Sequence, residues 1–271
     1  MGEKINETVA KDGPVQREFP EGMIPIGDGT FRFACHPGLS CFTSCCRRVD
    51  IVLYPYDIIR LKNRLGIDSE RFLDKYTNIV SKGEFLPAVM LKMADNTERT
   101  CPFLTGNGCG IYLDRPTDCR TYPLERAVDR GLPDSGVRDY YFVHRTEHCL
   151  GHNEEREWTV AEWIKDQDIE IFNRLNEIWV EIDTSIREAG GSPGPDSEKK
   201  RKMAFMACYN LDVFRRFIFE STFLKRFSIP SKVIKLLKSD DVEILKFGVD
   251  WLRFSLGRDK TLSLKVSSRR I

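Results

Sequence analysis

No stretch of the 271-residue chain approaches about 18 uninterrupted apolar residues, the least a helix needs to cross a bilayer. The opening, MGEKINETVAKDGPVQREFPEG, carries charges where a signal peptide requires an apolar run. These absences lead to the expectation of a soluble, cytoplasmic protein with no transmembrane segment. Thiols stay reduced in that compartment, so a disulfide framework is not expected. A G-x-G-x-x-G following a strand is missing, as is a P-loop, which leaves no sequence basis for a nucleotide or S-adenosylmethionine site. Paired C-x2-C knuckles and the usual ferredoxin run are also absent, so neither a standard zinc ribbon nor a ferredoxin is indicated. Net charge is nearly absent, at +1. It is unevenly spread: from Pro195 onward 18 Lys and Arg face 9 Asp and Glu, which is +9 and leaves −8 for the rest. The basic C-terminal part is therefore expected to suit an acidic partner, whether nucleic acid, a lipid surface or the acidic half itself. The partner is otherwise unknown from the sequence.

What the chain does have is cysteine: nine, of which eight lie before Leu150. They are Cys35, Cys41, Cys45, Cys46, Cys101, Cys109, Cys119 and Cys149, spaced C-x5-C-x3-C-C, then C-x7-C-x9-C, then Cys-Leu-Gly. Cys208 stands apart among Met203, Phe205 and Leu211 and reads as a small core residue. Thiolates are soft donors that hold zinc tetrahedrally or the irons of an iron–sulfur cluster, and both normally take four. Eight is twice four, so one centre or two remain open. Adjacent Cys45 and Cys46 are expected to point apart if the backbone there is extended, serving two centres or leaving one as a non-ligand. The competing reading, buried reduced thiols packed as small apolar groups, fits poorly with so many beside Gly, Pro or charged residues.

The chain reads in two regions. TFRFAC (30–35) and VDIVLY (49–54) read as strands. YPYDIIRLKNRLG reads as a helix with Pro55 at its first position and Gly66 as its stop, and DSERFLDKYTNIV as a second helix capped by Asp68. FLPAVMLKM and TCPFL read as extended, TGNGCG as a turn, and DYYFVH as a last strand after broken loops. From Thr159 the pattern is helical: Thr159 and Glu162 form a capping box, and Trp163, Ile171, Leu175, Ile178 and Ile182 share a face through a long helix ending at Gly190. GGSPGP (190–195) breaks it; a second long helix over about 197–226 and a helical pair around PSKVIKLLK and DVEILKFGVDWLRFSL follow. The fold class expected is α+β, a small irregular cysteine-rich metal-binding domain followed by a mostly α-helical extension. Its expected divisions are an N-terminal arm (1–22), a cysteine-cluster domain (23–157), a helical extension (158–256) and a basic tail (257–271).

FACHPGLSCFTSCCRRVDIVLYPYDIIRLKNRLG, followed by CPFLTGNGCGIYLDRPTDCRTYPLE, resembles the YkgJ-type cysteine-cluster family, the CxxCxxCC zinc- or iron-chelating domain, over roughly residues 30–155. The resemblance implies that Cys35, Cys41, Cys45, Cys46, Cys101, Cys109 and Cys119 are the chelating set, with Cys149 a common addition. The first block departs from the family, whose two-residue gaps are five and three residues here. One relative, flagellin lysine methylase, is linked to an iron–sulfur cluster, which mildly favours iron over zinc. The expected function is therefore metal binding, with zinc, iron or an iron–sulfur cluster. A cluster-dependent modifying or redox enzyme in the manner of that methylase is the alternative, with no catalytic residue assigned.

Other residues near the cysteines invite two readings each. His144, His148 and His152 would share a face if helical and complete a mixed shell, but YYFVH reads as strand, which favours surface or hydrogen-bonding histidines. His36, beside Cys35, is similar. Arg115 and Arg120 flank Cys119, either offsetting thiolate charge or pairing with Asp114 or Asp118 at the surface. Asp57 falls in a helix's first turn, where a structural role is expected. The interleaved basic and aromatic residues of DVFRRFIFESTFLKRFSI and KVIKLLK could meet an anionic surface, though the edge of a packed amphipathic helix is the commoner case.

Overall fold

The computed structural model describes residues 24–80, 86–129, 138–188, 197–255 and 261–265. The N-terminal arm, the GGSPGP break and most of the basic tail lie outside them. Along the chain run β1 (Thr30–Arg32), α1 (Pro55–Leu65), α2 (Ser69–Tyr76), β2 (Thr77–Val80), β3 (Ala88–Leu91), β4 (Leu104–Thr105) and β5 (Gly108–Cys109). There follow α3 (Thr117–Thr121), β6 (Leu124–Asp129), β7 (Arg138–Val143), β8 (Glu157–Thr159), α4 (Val160–Asp166) and α5 (Ile169–Glu188). The rest is α6 (Ser197–Cys208), α7 (Leu211–Glu220), α8 (Phe223–Arg226), β9 (Phe227–Ser228), α9 (Ser231–Leu237), α10 (Asp241–Ser255) and β10 (Ser263–Leu264). This is an α+β fold, with the strands paired two by two into small antiparallel sheets: β1 with β8, β2 with β3, β4 with β5, β6 with β7, and β9 with β10.

Local chemistry explains the elements that the sequence foretold. Pro55 opens α1, Asp57 Oδ2 accepts the Tyr54 N–H at 2.9 Å, and Gly66 at φ +63° ends the helix in a conformation that costs a glycine little. Asp68 accepts the Arg71 N–H at 2.7 Å, and Thr159 exchanges hydrogen bonds with Glu162 as a capping box.

Four expectations are corrected. TNIV is not the end of α2 but strand β2, because Thr77, Ile79 and Val80 are β-branched and pair with β3, while the Thr77 hydroxyl donates to the Leu73 carbonyl at 2.6 Å. VDIVLY forms no full strand: Ile51 and Leu53 exchange backbone bonds with Leu91 and Val89, and Val52 bridges Met90. The long helix after Thr159 is two, broken at Asp168 with φ +51°. The break frees the Gln167 carbonyl, which accepts Arg120 Nη1 at 2.6 Å, while Gln167 Oε1 accepts from Arg115. The helix expected over 197–226 is three, parted first at Tyr209–Asn210, where Ser69 inserts: its hydroxyl donates to Asn210 Oδ1 at 2.9 Å and accepts the Asp212 N–H at 2.9 Å, and its N–H donates to Asp212 Oδ2 at 2.7 Å.

The larger core draws on both regions of the sequence, joining Leu53, Ile58, Leu61, Phe72 and Val89 to Phe172, Ile182, Phe214, Ile244 and Trp251. Cys208 is fully buried in it, as expected. A smaller core of Phe31, Phe33, Leu124, Trp158, Trp163 and Ile169 lies between the first strand and the start of the helices. The two cores hold the loops that carry the cysteines. No described helix is long and apolar enough to cross a membrane.

Candidate metal centre

Five separated segments bring the eight cysteines into one region, all with free thiols. Cys41 begins a tight run in which Ser44 N–H donates to Cys41 O at 2.9 Å and Cys46 N–H to Thr43 O at 3.0 Å. Residues Ser44–Cys46 form a single 3-10 turn. Thr43 enters it at φ +66° and Arg48 leaves just beyond it at φ +53°. A β-branched residue in the left-handed region is strained by roughly 1–3 kcal/mol, so the fold holds this turn against its local preference. The Cys45–Cys46 step is therefore part of a turn and not extended. Within that turn the two adjacent thiols influence each other's ionisation, Cys45 being lowered and Cys46 raised.

The other segments close on this turn. Cys101 N–H donates to Cys46 O at 2.8 Å, and Arg47 bridges Thr100. The β4–β5 hairpin returns Cys109 opposite Leu104, with the Leu104 N–H bound to Cys101 O at 3.1 Å. Gly108 turns that hairpin at φ +107°. Cys119 sits on α3, whose neighbouring Asp118 accepts the Val52 N–H at 3.2 Å. Cys149 arrives by a different path: the Leu150 N–H donates to Cys41 Sγ at 3.2 Å, and Ala34 N–H to Gly151 O at 3.0 Å beside Cys35. A Cβ on Gly151 would lie 2.7 Å from Ala34 O and 2.8 Å from Phe33 Cε2, so the approach tolerates only glycine. We expect Gly151→Ala to destabilise the protein by about 1–3 kcal/mol through this overlap. Urea unfolding checks it, and an unmoved midpoint would show that the contact is slack.

The thiols titrate as a group. Cys45 is lowered to about 7 by the hydrogen bond from Cys46, which keeps the proton and is itself raised. Burial, then Cys45, Cys149 and Cys41, push Cys35 up to about 11. Cys101, Cys109 and Cys119 are raised too, by burial first and then by neighbouring sulfurs. Cys119 reaches solvent while protein crowds its other sides. Gathered thiols resist ionising together, and a cation would remove that resistance. The donor chemistry therefore fits a soft metal. Among the described residues, however, no three His, Cys, Asp or Glu side chains stand in ligating geometry, so the sulfurs are gathered without being closed into a shell.

The flanking residues sort themselves out. Arg115 and Arg120 are buried and make neither of the expected surface pairs. Arg115 binds the Tyr112 carbonyl and Gln167 and lies over the Tyr112 ring, and its charge favours the Cys109 thiolate. Arg120 binds the carbonyls of Leu113 and Gln167 above the Phe172 ring. Asp114 instead pairs with Arg60. His36 meets Glu154 at 3.2 Å, and His144 meets Glu125 at 2.7 Å, both at the surface, while His148 is exposed. His152 is buried against Phe33. Burial, then Arg145, hold its pKa below the ordinary value.

Two contributors escape sequence reasoning. The Tyr122 hydroxyl lies 3.4 Å from His152 Nε2, and burial first, then the nearby Cys149 thiol, hold its pKa above the ordinary value; only its place in the TYP step after Cys119 hints at it. Asp57 was expected to be structural, yet it reaches beyond its own helix: Oδ1 accepts both the Thr117 N–H at 2.9 Å and the Thr117 hydroxyl at 2.8 Å, fixing the start of α3 and hence Cys119.

Fold and thiols together define an α+β protein whose reduced cysteines are brought together from distant segments. Residues 34–156 match the model of the CxxCxxCC family, described as "putative zinc- or iron-chelating domain". Comparisons with curated proteins and with solved structures returned no match.

Proposed function

We propose that Cys35, Cys41, Cys45, Cys46, Cys101, Cys109, Cys119 and Cys149 chelate zinc or iron, iron being mildly favoured in the form of an iron–sulfur cluster. One observation carries the reading: hydrogen bonds draw cysteine-bearing segments up to 114 positions apart to the Ser44–Cys46 turn, with Cys101 N–H on Cys46 O, Leu150 N–H on Cys41 Sγ and Ala34 N–H on Gly151 O. Thiolates bind such ions only when deprotonated, and the bound charge offsets the repulsion that otherwise raises their pKa values. When bound, the centre supplies either a structural tie among loops or, as a cluster, a site for one electron. The chain's own residues supply the surroundings: Arg115 favours thiolate at Cys109, and Tyr122 stands near Cys149 and His152. The reading places the protein in a reducing, cytoplasmic setting.

The alternative, a cluster-dependent modifying or redox enzyme, requires a pocket beside the sulfurs. The open cavity on α6, lined by Glu198, Lys199, Lys202, Met203 and Met206, includes none of them. Anaerobic purification followed by metal and sulfide analysis and a visible spectrum separates the cases. Iron with acid-labile sulfide and visible absorption is the expected result; zinc in a colourless protein would remove the cluster, and absence of any metal would remove the proposal.

A further inference from the structure

We propose that the surface carried by α8, β9, α9 and β10 docks the protein on an anionic lipid bilayer.

The segment 221–239, STFLKRFSIPSKVIKLLKS, carries five basic residues and no acidic one. Several surface cations elsewhere in the helical part are matched within the protein: Arg216 meets Glu70 at 3.0 Å, Lys246 meets Glu243 at 2.7 Å, and Arg253 meets Glu181 at 2.9 Å. Lys225, Arg226, Lys232, Lys235 and Lys238 are all exposed, and none pairs with a carboxylate of another described residue. The pairing of β9 with β10 brings in a sixth cation, Lys265, whose N–H donates to Arg226 O at 2.8 Å and whose Nζ donates to Leu224 O at 2.8 Å. In α9, Val233 and Leu237 pack into the larger core, which leaves Lys232 and Lys235, one turn apart, on the outer face with Leu236. Unmatched like charges repel one another, and an anionic surface relieves that repulsion.

Two observations select lipid over nucleic acid. The rings interleaved with these basic residues are turned inward: Phe214, Phe223 and Phe227 are buried, and Phe217 and Phe219 are half-buried. The segment therefore offers no exposed ring on which bases could stack. Its exposed apolar groups are leucines, Leu236 at 39% and Leu264 on β10 at 55%, each next in sequence to a lysine of the patch. Such a pair suits the boundary between acyl chains and headgroups, where the leucine enters and the ammonium stays with the phosphate. A duplex backbone would meet the lysines but leave both leucines in water.

Cosedimentation of the full-length protein with vesicles tests the surface. Binding is expected to vesicles of phosphatidylcholine mixed with phosphatidylserine, with little to phosphatidylcholine alone, and it should weaken as salt is raised. Each basic residue near such a surface contributes about fivefold, so Lys232→Ala combined with Lys235→Ala should weaken binding about 25-fold. Removing the same charge from other elements, through Lys92→Ala combined with Lys165→Ala, should change it by less than about threefold. Leu236→Ser should weaken binding without altering its salt dependence. All of these side chains are exposed, and circular dichroism checks that each variant is folded. No binding to the mixed vesicles, equal binding to phosphatidylcholine alone, equal loss from the two lysine pairs, or unchanged binding of Leu236→Ser overturns the proposal. Tighter binding to DNA, duplex or single-stranded, than to the mixed vesicles at the same ionic strength also overturns it and assigns the surface to nucleic acid.

Discussion

Asp57→Ala should destabilise the protein by about 3–5 kcal/mol, because each buried donor left without an acceptor costs about 1–3 kcal/mol. Asp57 is fully buried and accepts the Tyr54 N–H, the Thr117 N–H and the Thr117 hydroxyl. Alanine strands the two amides that begin α1 and α3, while the hydroxyl keeps only its bond from Asn176 Nδ2. A loss under about 1 kcal/mol in urea unfolding would mean that water replaces the carboxylate. The same residue predicts a pH dependence. Burial pushes its carboxyl up to about 7 from the ordinary 3.8, against the three hydrogen bonds that pull it down. Between those values the unfolded chain releases a proton that the folded one keeps. Stability therefore falls as pH rises from about 4 to 7 and levels off above, by about 4 kcal/mol at most. Asp57→Asn does not titrate, so the wild type's advantage over it should shrink across that window. A constant difference from pH 4.5 to 8 would show that the carboxylate is ionised throughout.

The second large effect lies where two helices cross. Gly248 on α10 faces α6 so closely that a Cβ would stand 2.4 Å from the Ala207 carbonyl oxygen and 3.3 Å from Phe214 Cε1. Helix propensity alone makes Gly→Ala stabilising by about 1 kcal/mol, whereas overlap with rigid backbone costs about 1–3 kcal/mol or somewhat more. The obstructing atom is a backbone oxygen and cannot rotate away. Gly248→Ala should therefore destabilise by about 1–2 kcal/mol net, with Lys246→Ala on the exposed side of α10 as a control that changes stability by less than about 0.5 kcal/mol. The sign is decisive, since a stabilised Gly248→Ala variant would show that α6 and α10 stand further apart.

Both residues show where sequence reasoning stops. Gly248 lies inside the segment DVEILKFGVDWLRFSL, whose pattern gives it no special place; only the partner helix makes it indispensable. Asp57 is legible as a helix-start carboxylate, but its second oxygen serves Thr117, sixty positions away. The same holds for the broken helices. Apolar periodicity in TVAEWIKDQDIEIFNRLNEIW continues through Gln167, because periodicity reports which face is buried and not whether an arginine from α3 takes the carbonyl. Ser69 likewise divides α6 from α7 from 141 positions before Asn210.

The amino-acid sequence by itself determined the caps of α1, α2 and α4, the strand at DYYFVH, the α+β class and the set of cysteines, since each depends on residues within a few positions or on composition. Tertiary structure decided how those cysteines face one another. Thr43 and Arg48 are held in left-handed conformations around the Cys45–Cys46 turn, and Gly151 is pressed onto Ala34, by contacts that no local preference encodes. The reason is energetic: a local signal of a few tenths to about 1 kcal/mol yields wherever burial and long-range hydrogen bonds together outweigh it.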